Sequence, residues 1–258
     1  MFNIDGGYLS FKMAFGNFDS WQYKHGHDVS IFAVDSRSKR RDLTNDYKLN
    51  RNVGKEDIIE TVHQLRRQIE TEQLLPLCQI DGLEADDIVA CWNLFNPYEK
   101  IVGVDKDFFQ LPNVEYVYYH DLKPYSFMET VGKLPQYAQS IACQNFALYQ
   151  MLFGDVADGI QRLLPKGKEG KEHLEFIQDY TSNNNLKGAL WLLYGDKIIL
   201  NAKLVLFPYY EYCQAVDWFD CWCRGYYYSK ARWTKLYQQI LDCKLENKLT
   251  KPSDLWEF

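Results

Sequence analysis

The chain has 258 residues, 35 acidic and 29 basic, giving a formal charge of −6, with 47% hydrophobic, 16% aromatic and 25% charged residues. This composition argues against a disordered chain and supplies enough apolar surface for one large domain, or one with a smaller lobe. No window approaches the roughly 20 apolar residues of a membrane span, and Met1-Phe2-Asn3-Ile4-Asp5 does not open a signal peptide, so the expected location is the cytoplasm.

In chain order, short apolar runs predict strands at Phe2–Asp5, Val29–Asp35, Leu75–Gln79, Lys100–Asp105 and Val114–Tyr119. Between the second and third, Ile58, Ile59, Val62, Leu65 and Ile69 recur at helical spacing, and Glu84 opens a helix through Ile88, Val89 and Trp92. Past Val131 the strands stop, and Ala142–Phe153, Lys171–Tyr180 and Ser229–Lys244 read as helices. The alternation predicts an α/β domain with a mostly parallel sheet over residues 1–135, followed by a helical lobe over 136–258. Seven cysteines without paired spacing predict buried thiols, not disulfides or a zinc site, and the five scattered histidines suit structural or solvated positions. Twelve aromatics between Phe207 and Tyr237 predict packing between helices, with a stacking or partner surface as the alternative.

Three predicted strands end in aspartate, at Asp5, Asp35 and Asp105, and Asp107 follows two residues on. The carboxyl ends of strands form the ligand-binding edge of an open α/β sheet. Glu84, Asp86 and Asp87 open a helix, and Asp155 and Asp158 occupy the loop Gly154–Gly159. Each group has an ordinary reading, as a helix-dipole partner, cap or turn residue. All four groups together require more. Crowded carboxylates repel one another unless a cation sits among them, and hard divalent ions, Mg²⁺ above all, suit such oxygen ligands.

The ordered elements Ile4-Asp5-Gly6, Val34-Asp35, Glu84-Ala85-Asp86-Asp87, Val104-Asp105-Lys106-Asp107-Phe108-Phe109-Gln110-Leu111 and Gly154-Asp155-Val156-Ala157-Asp158 resemble the 5′ nuclease (flap endonuclease) superfamily. The resemblance spans about residues 1–180 and is nearest the stand-alone bacteriophage 5′→3′ exonucleases and the 5′-nuclease domain of bacterial DNA polymerase I. It implies a PIN-like α/β fold with a helical arch over about residues 36–70, and a helical lobe carrying a helix-hairpin-helix variant over about 154–180. It also implies two Mg²⁺ ions, with Mn²⁺ able to substitute. Asp5, Asp35, Glu84 and Asp86 would serve the first, Asp105, Asp107, Asp155 and Asp158 the second, and Asp87 would support them. Such a pair activates water and clamps both reacting oxygens of an in-line displacement at phosphorus.

The basic segments fit the same picture. Arg37, Lys39, Arg40 and Arg41 follow Asp35 directly, and Tyr47-Lys48-Leu49-Asn50-Arg51 resembles the family's Tyr-Lys-x-Asn-Arg arch element. Lys48 and Arg51 would neutralise charge on the scissile phosphate, while Tyr47 would either stack on a base or pack. Lys12 stands where the family usually has arginine. Lys166, Gly167, Lys168, Gly170 and Lys171 fall in the hairpin that grips duplex backbone in the family and can hold K⁺.

The expected activity is metal-dependent 5′→3′ exonucleolytic hydrolysis of DNA in replication or repair, with flap endonuclease or RNase H activity as extensions. A PIN-type ribonuclease and a catalytically silent DNA-binding scaffold are the alternatives. Expected partners are DNA with a 5′ end or flap, an RNA–DNA hybrid, and a separate replicative polymerase or single-strand-binding protein; the chain is expected to be monomeric and to bind no membrane. With nine of the 35 acids assigned to the site, 26 remain against 29 basic residues. The acidic average therefore does not exclude nucleic acid.

Overall fold

The computed structural model describes residues 2–5, 24–25, 28–49, 60, 64, 67, 71, 75–103, 105–112, 116–117, 123–124, 126–182 and 185–249; side chains of 2–5, 116, 182 and 245–249 lie outside the described set. Five strands, β1 (Phe2–Asp5), β2 (Val29–Val34), β3 (Leu77–Gln79), β4 (Lys100–Val102) and β5 (Tyr116–Val117), form one sheet in the order β3-β2-β1-β4-β5. Every pair is parallel. The β2 sequence Val-Ser-Ile-Phe-Ala-Val is buried along its whole length, as a central parallel strand covered on both faces requires. Strand order reverses between β1 and β4, so the sheet's topological switch point lies where β1 ends in Asp5 and the chain leaves β4 toward Asp105.

Helix α1 (Ala85–Phe95) is apolar almost all round and packs against β1 and β2. Its start is fixed by carboxylates: Asp35 Oδ1 accepts from the Ala85 N–H at 2.8 Å, and Asp87 Oδ2 from the Glu84 N–H at 3.1 Å. Beyond the sheet come α2 (Phe127–Gly132), α3 (Gln136–Gln144), α4 (Phe146–Phe153), α5 (Lys168–Ser182), α6 (Leu186–Tyr194), α7 (Asp196–Val205), α8 (Trp218–Cys223) and α9 (Thr234–Leu249). The single helix expected over Ala142–Phe153 is two helices. Asn145 leaves the helical conformation (φ −157°, ψ 99°) and its side chain caps α4 by accepting from the Leu148 N–H at 2.9 Å. Of the helix expected around residues 58–69, Glu60, Gln64 and Arg67 are described and helical.

One hydrophobic core runs from Ile31 and Cys78 in the sheet through Met151 and Leu190 to Trp233 and Ile240. Most of the aromatic segment belongs to it. Tyr209, Trp222, Tyr227 and Trp233 are buried, Trp233 Nε1 donating to the Tyr227 carbonyl and the Tyr227 hydroxyl to the Pro208 carbonyl. Cys78, Cys91 and Cys213 are buried thiols as expected, whereas Cys143 is exposed on α3. Among the described residues, no helix is long and apolar enough to cross a membrane.

Candidate active site

Beside the switch point, Glu84, Asp86, Asp105, Asp107, Asp155 and Asp158 line one cleft, with Lys48, Lys106, Tyr47 and Arg40 on its walls. Three local devices bring the acids there. Glu84 and Asp86 ride the first turn of α1. Asp105 caps the 3₁₀ turn Lys106–Gln110 by accepting from the Asp107 N–H at 2.9 Å, which turns Asp107 into the same cleft. Asp155 and Ile160 form a reciprocal bridge, Asp155 N–H to Ile160 O at 3.0 Å and Ile160 N–H to Asp155 O at 2.8 Å, closing the loop that carries Asp158.

The cleft's electrostatics are uneven. Burial, then the charges of Asp105, Asp158 and Asp155, push the Asp107 carboxyl well above the ordinary range despite Lys106. Glu84 is the opposite case. Burial disfavours its charge, yet Lys48 Nζ at 2.8 Å, Arg40 at 3.5 Å and the Tyr47 hydroxyl at 3.0 Å more than offset this and hold the carboxyl at about 2. Lys106 reaches Asp155 at 3.1 Å; burial opposes its charge, but Asp155 and Asp107 raise its pKa. Among the described residues no three carboxylates, histidines or cysteines close into a ready-made metal cluster.

The base of the predicted arch is locked to this cleft. Lys48 adopts a left-handed conformation, φ 53°, that costs a lysine on the order of 1–2 kcal/mol, and its N–H donates to the Asp158 carbonyl at 3.0 Å. Gly159, φ 71°, lies so close that a Cβ would overlap the Asp46 carbonyl. Gly159→Ala should therefore cost about 2 kcal/mol or more, measured as a lower urea midpoint, because both its own backbone and the Asp46 turn must move. An unchanged midpoint would contradict that close approach.

Several expected site residues take other roles or stand outside the cleft. Arg40 is not a nucleic-acid contact: 2% exposed, it makes a bidentate pair with Asp87 at 2.6 and 2.7 Å and donates to the Leu206 carbonyl at 2.7 Å. Its guanidinium also lies over the Tyr209 ring. Asp87, wholly buried by this pair, does not line the cleft. Tyr47, 4% exposed with its hydroxyl on Glu84, packs and does not offer a ring for stacking. Asp35 is exposed outside the cleft, holding the start of α1. Gly170 is buried where a Cβ would overlap the Pro165 carbonyl, so its smallness serves loop packing. Arg37, Lys39 and Arg41 are exposed, Arg37 paired with Asp42 and Lys39 with Glu211. Lys166, Gly167, Lys168 and Lys171 are exposed at the start of α5. Asp5 closes β1, its side chain outside the described residues; Lys12 and Arg51 also lie outside them.

Sequence reading missed Lys106, although it stands between two assigned aspartates, and missed Gln150, which donates to Asp107 Oδ1 at 2.6 Å. Nothing in the local sequence around Gln150 marks it.

A parallel sheet whose switch point faces an acidic cleft bordered by ammonium groups defines a PIN-like protein with a site suited to cations and phosphates. The family described as the 5′–3′ exonuclease, N-terminal resolvase-like domain matches residues 7–134. The fold is similar to zinc-bound 5′-exonuclease of bacteriophage T5, 16% identical with a TM-score of 0.57, covering 95% of this chain and 99% of that one. It is also similar to bacteriophage T5 flap endonuclease in a pseudo-enzyme–product complex with DNA and metal ions, 17% identical with a TM-score of 0.56, covering 94% of this chain and 98% of that one. Comparison with curated proteins by sequence finds no match. Residues 7–134 thus match the N-terminal domain of a 5′–3′ exonuclease family, and the chain as a whole shares the fold of the two T5 enzymes.

Proposed function

We propose that this protein is a nuclease that hydrolyses DNA from a 5′ end or flap in a reaction dependent on two divalent cations, naturally Mg²⁺, in the service of DNA replication or repair. The observation that carries the reading is the convergence of six carboxylates from three chain segments on one cleft beside the sheet's switch point. The donor set suits hard cations. It is all oxygen, and the burial and neighbouring carboxylates that together raise Asp107 are both offset by a bound cation. Asp86, Glu84, Asp105, Asp107, Asp155 and Asp158 would hold the ions, with Asp5 at the end of β1. Bound divalent cations would supply the water activation and charge neutralisation that phosphodiester hydrolysis needs.

The chain's own cations complete the site. Lys48, held on Glu84 at 2.8 Å and fixed through its backbone to Asp158, is placed to exchange that carboxylate for a non-bridging phosphate oxygen as negative charge develops. The exposed Lys166, Lys168 and Lys171 would add electrostatic contacts to the phosphodiester backbone outside the cleft. The test is to incubate the protein and Mg²⁺ with labelled blunt, recessed, nicked and flapped duplexes; no cleavage of any of them with Mg²⁺ or Mn²⁺ would overturn the reading. Lys48→Met should slow single-turnover cleavage about 10²–10³-fold and change DNA affinity only a few-fold. Equal losses in rate and affinity would show that Lys48 serves binding instead.

A further inference from the structure

From the wall of the cleft, where Gln150 stands beside Asp107, a line of buried amides runs into the core. Gln150, 8% exposed on α4, donates through Nε2 to Asp107 Oδ1 at 2.6 Å. Its Oε1 accepts from Gln110 Nε2 at 3.3 Å; Gln110, 7% exposed, also donates to the Val205 carbonyl at 3.2 Å. Gln110 Oε1 in turn accepts from the Phe207 N–H at 3.3 Å and the Tyr228 hydroxyl at 3.5 Å.

The two ends of the line set the direction of every bond in it. A carboxylate that ligates a cation is ionised and only accepts, so in the cation-bound site Gln150 must turn its amide nitrogen toward Asp107, as it does here at 2.6 Å. A backbone N–H only donates, so Gln110 turns its oxygen toward Phe207. The remaining bond, Gln110 nitrogen to Gln150 oxygen, then closes the line, and flipping either amide would set donor against donor in a buried place.

We infer that Gln150, and Gln110 through it, are positioning residues for Asp107: they commit Oδ1 to the protein interior and so aim the carboxylate's other oxygen into the cleft. The inference rests on the cation-dependent reading of the site. Groups that orient a ligating carboxylate from behind typically control 10–100-fold in cation affinity or activity. A glutamine pair that merely filled space would control neither.

The experiment titrates wild type and variants with Mn²⁺ by calorimetry and assays the same preparations on a labelled 5′-ended duplex. Gln150→Leu should bind Mn²⁺ about 10–100-fold more weakly and lose kcat in proportion, with KM for DNA within about twofold. Gln110→Leu should lose less in the same two quantities. The double variant should be no worse than Gln150→Leu, because both residues act through one carboxylate. Gln150→Asn, whose amide falls one methylene short of Asp107, should show the same weakened Mn²⁺ binding and carries the test if Gln150→Leu does not fold. Wild-type Mn²⁺ affinity in the folded Gln150 variants, or additive losses in the double variant, would overturn the inference while the proposed function stands. A wild-type chain that neither binds Mn²⁺ nor cleaves any duplex would overturn both.

Discussion

Asp107→Asn is expected to lower cation-dependent cleavage of 5′-ended DNA by about 10³-fold while leaving the chain folded. The asparagine oxygen can still accept from Gln150, so the change removes charge more than shape. Its effect on stability should run the other way. Burial and the neighbouring Asp105, Asp158 and Asp155 raise the Asp107 carboxyl well above its ordinary value. A carboxyl raised in the folded state contributes stability below its unfolded pKa and loses it as pH climbs through the folded value. Cation-free wild type should therefore lose melting temperature from pH 5 to pH 8 relative to Asp107→Asn, which should be the more stable of the two at pH 8. Saturating Mg²⁺ should reverse that order, because only the wild type gains much from binding. Melts in EDTA and in Mg²⁺ at both pH values, alongside cleavage time courses, check each part. A variant with wild-type rate would remove Asp107 from the chemistry, and one no more stable than wild type at pH 8 in EDTA would contradict the crowding.

Arg40→Ala should cost about 3–5 kcal/mol of folding stability, because it strands the wholly buried Asp87 carboxylate and the Leu206 carbonyl without the guanidinium that serves both. Arg40→Lys should recover only part of this, since an ammonium cannot make the bidentate pair. Arg40→Met combined with Asp87→Leu should lie much closer to wild type than Arg40→Ala, because neither charge is then left buried alone. Urea unfolding curves give all three values. The contrasting result, a small stability loss with a selective drop in DNA affinity, would return Arg40 to the role its neighbours Arg37, Lys39 and Arg41 suggest.

Much of the fold was legible because its signals are local. Phe2–Asp5 is a strand as expected, and β2, β3, β4 and β5 lie within their expected spans. Their contiguous apolar residues already imply burial on both faces. The helix opened by Glu84 runs from Ala85 to Phe95, three residues past Trp92. The break at Asn145 was not legible: the residues on both sides form one apolar periodic run, and the deciding cap bond depends on a single asparagine rotamer. Six of the nine acids do meet in one cleft, which their positions at element ends anticipated. Lys106 and Gln150 did not announce themselves, since a lysine between aspartates and a glutamine on a helix are ordinary until their partners, 49 and 43 residues away, are known.

The sequence by itself determined the chemistry available to this protein: an acidic set at strand and helix ends, basic segments next to it, and an order of motifs that resembles the 5′ nuclease superfamily. Only the tertiary structure decided which of two identical charges does which job. Arg40 and Arg41 are adjacent and chemically the same, yet one is buried on Asp87 and the other is exposed. Tyr47 and Lys48 are adjacent too, and the ring packs inward while the ammonium enters the cleft. The reason is physical. Residue type sets what a side chain can do, but solvent exposure and partners distant in the chain, from Glu84 for Lys48 to Leu206 for Arg40, set what it does, and local periodicity carries no record of either.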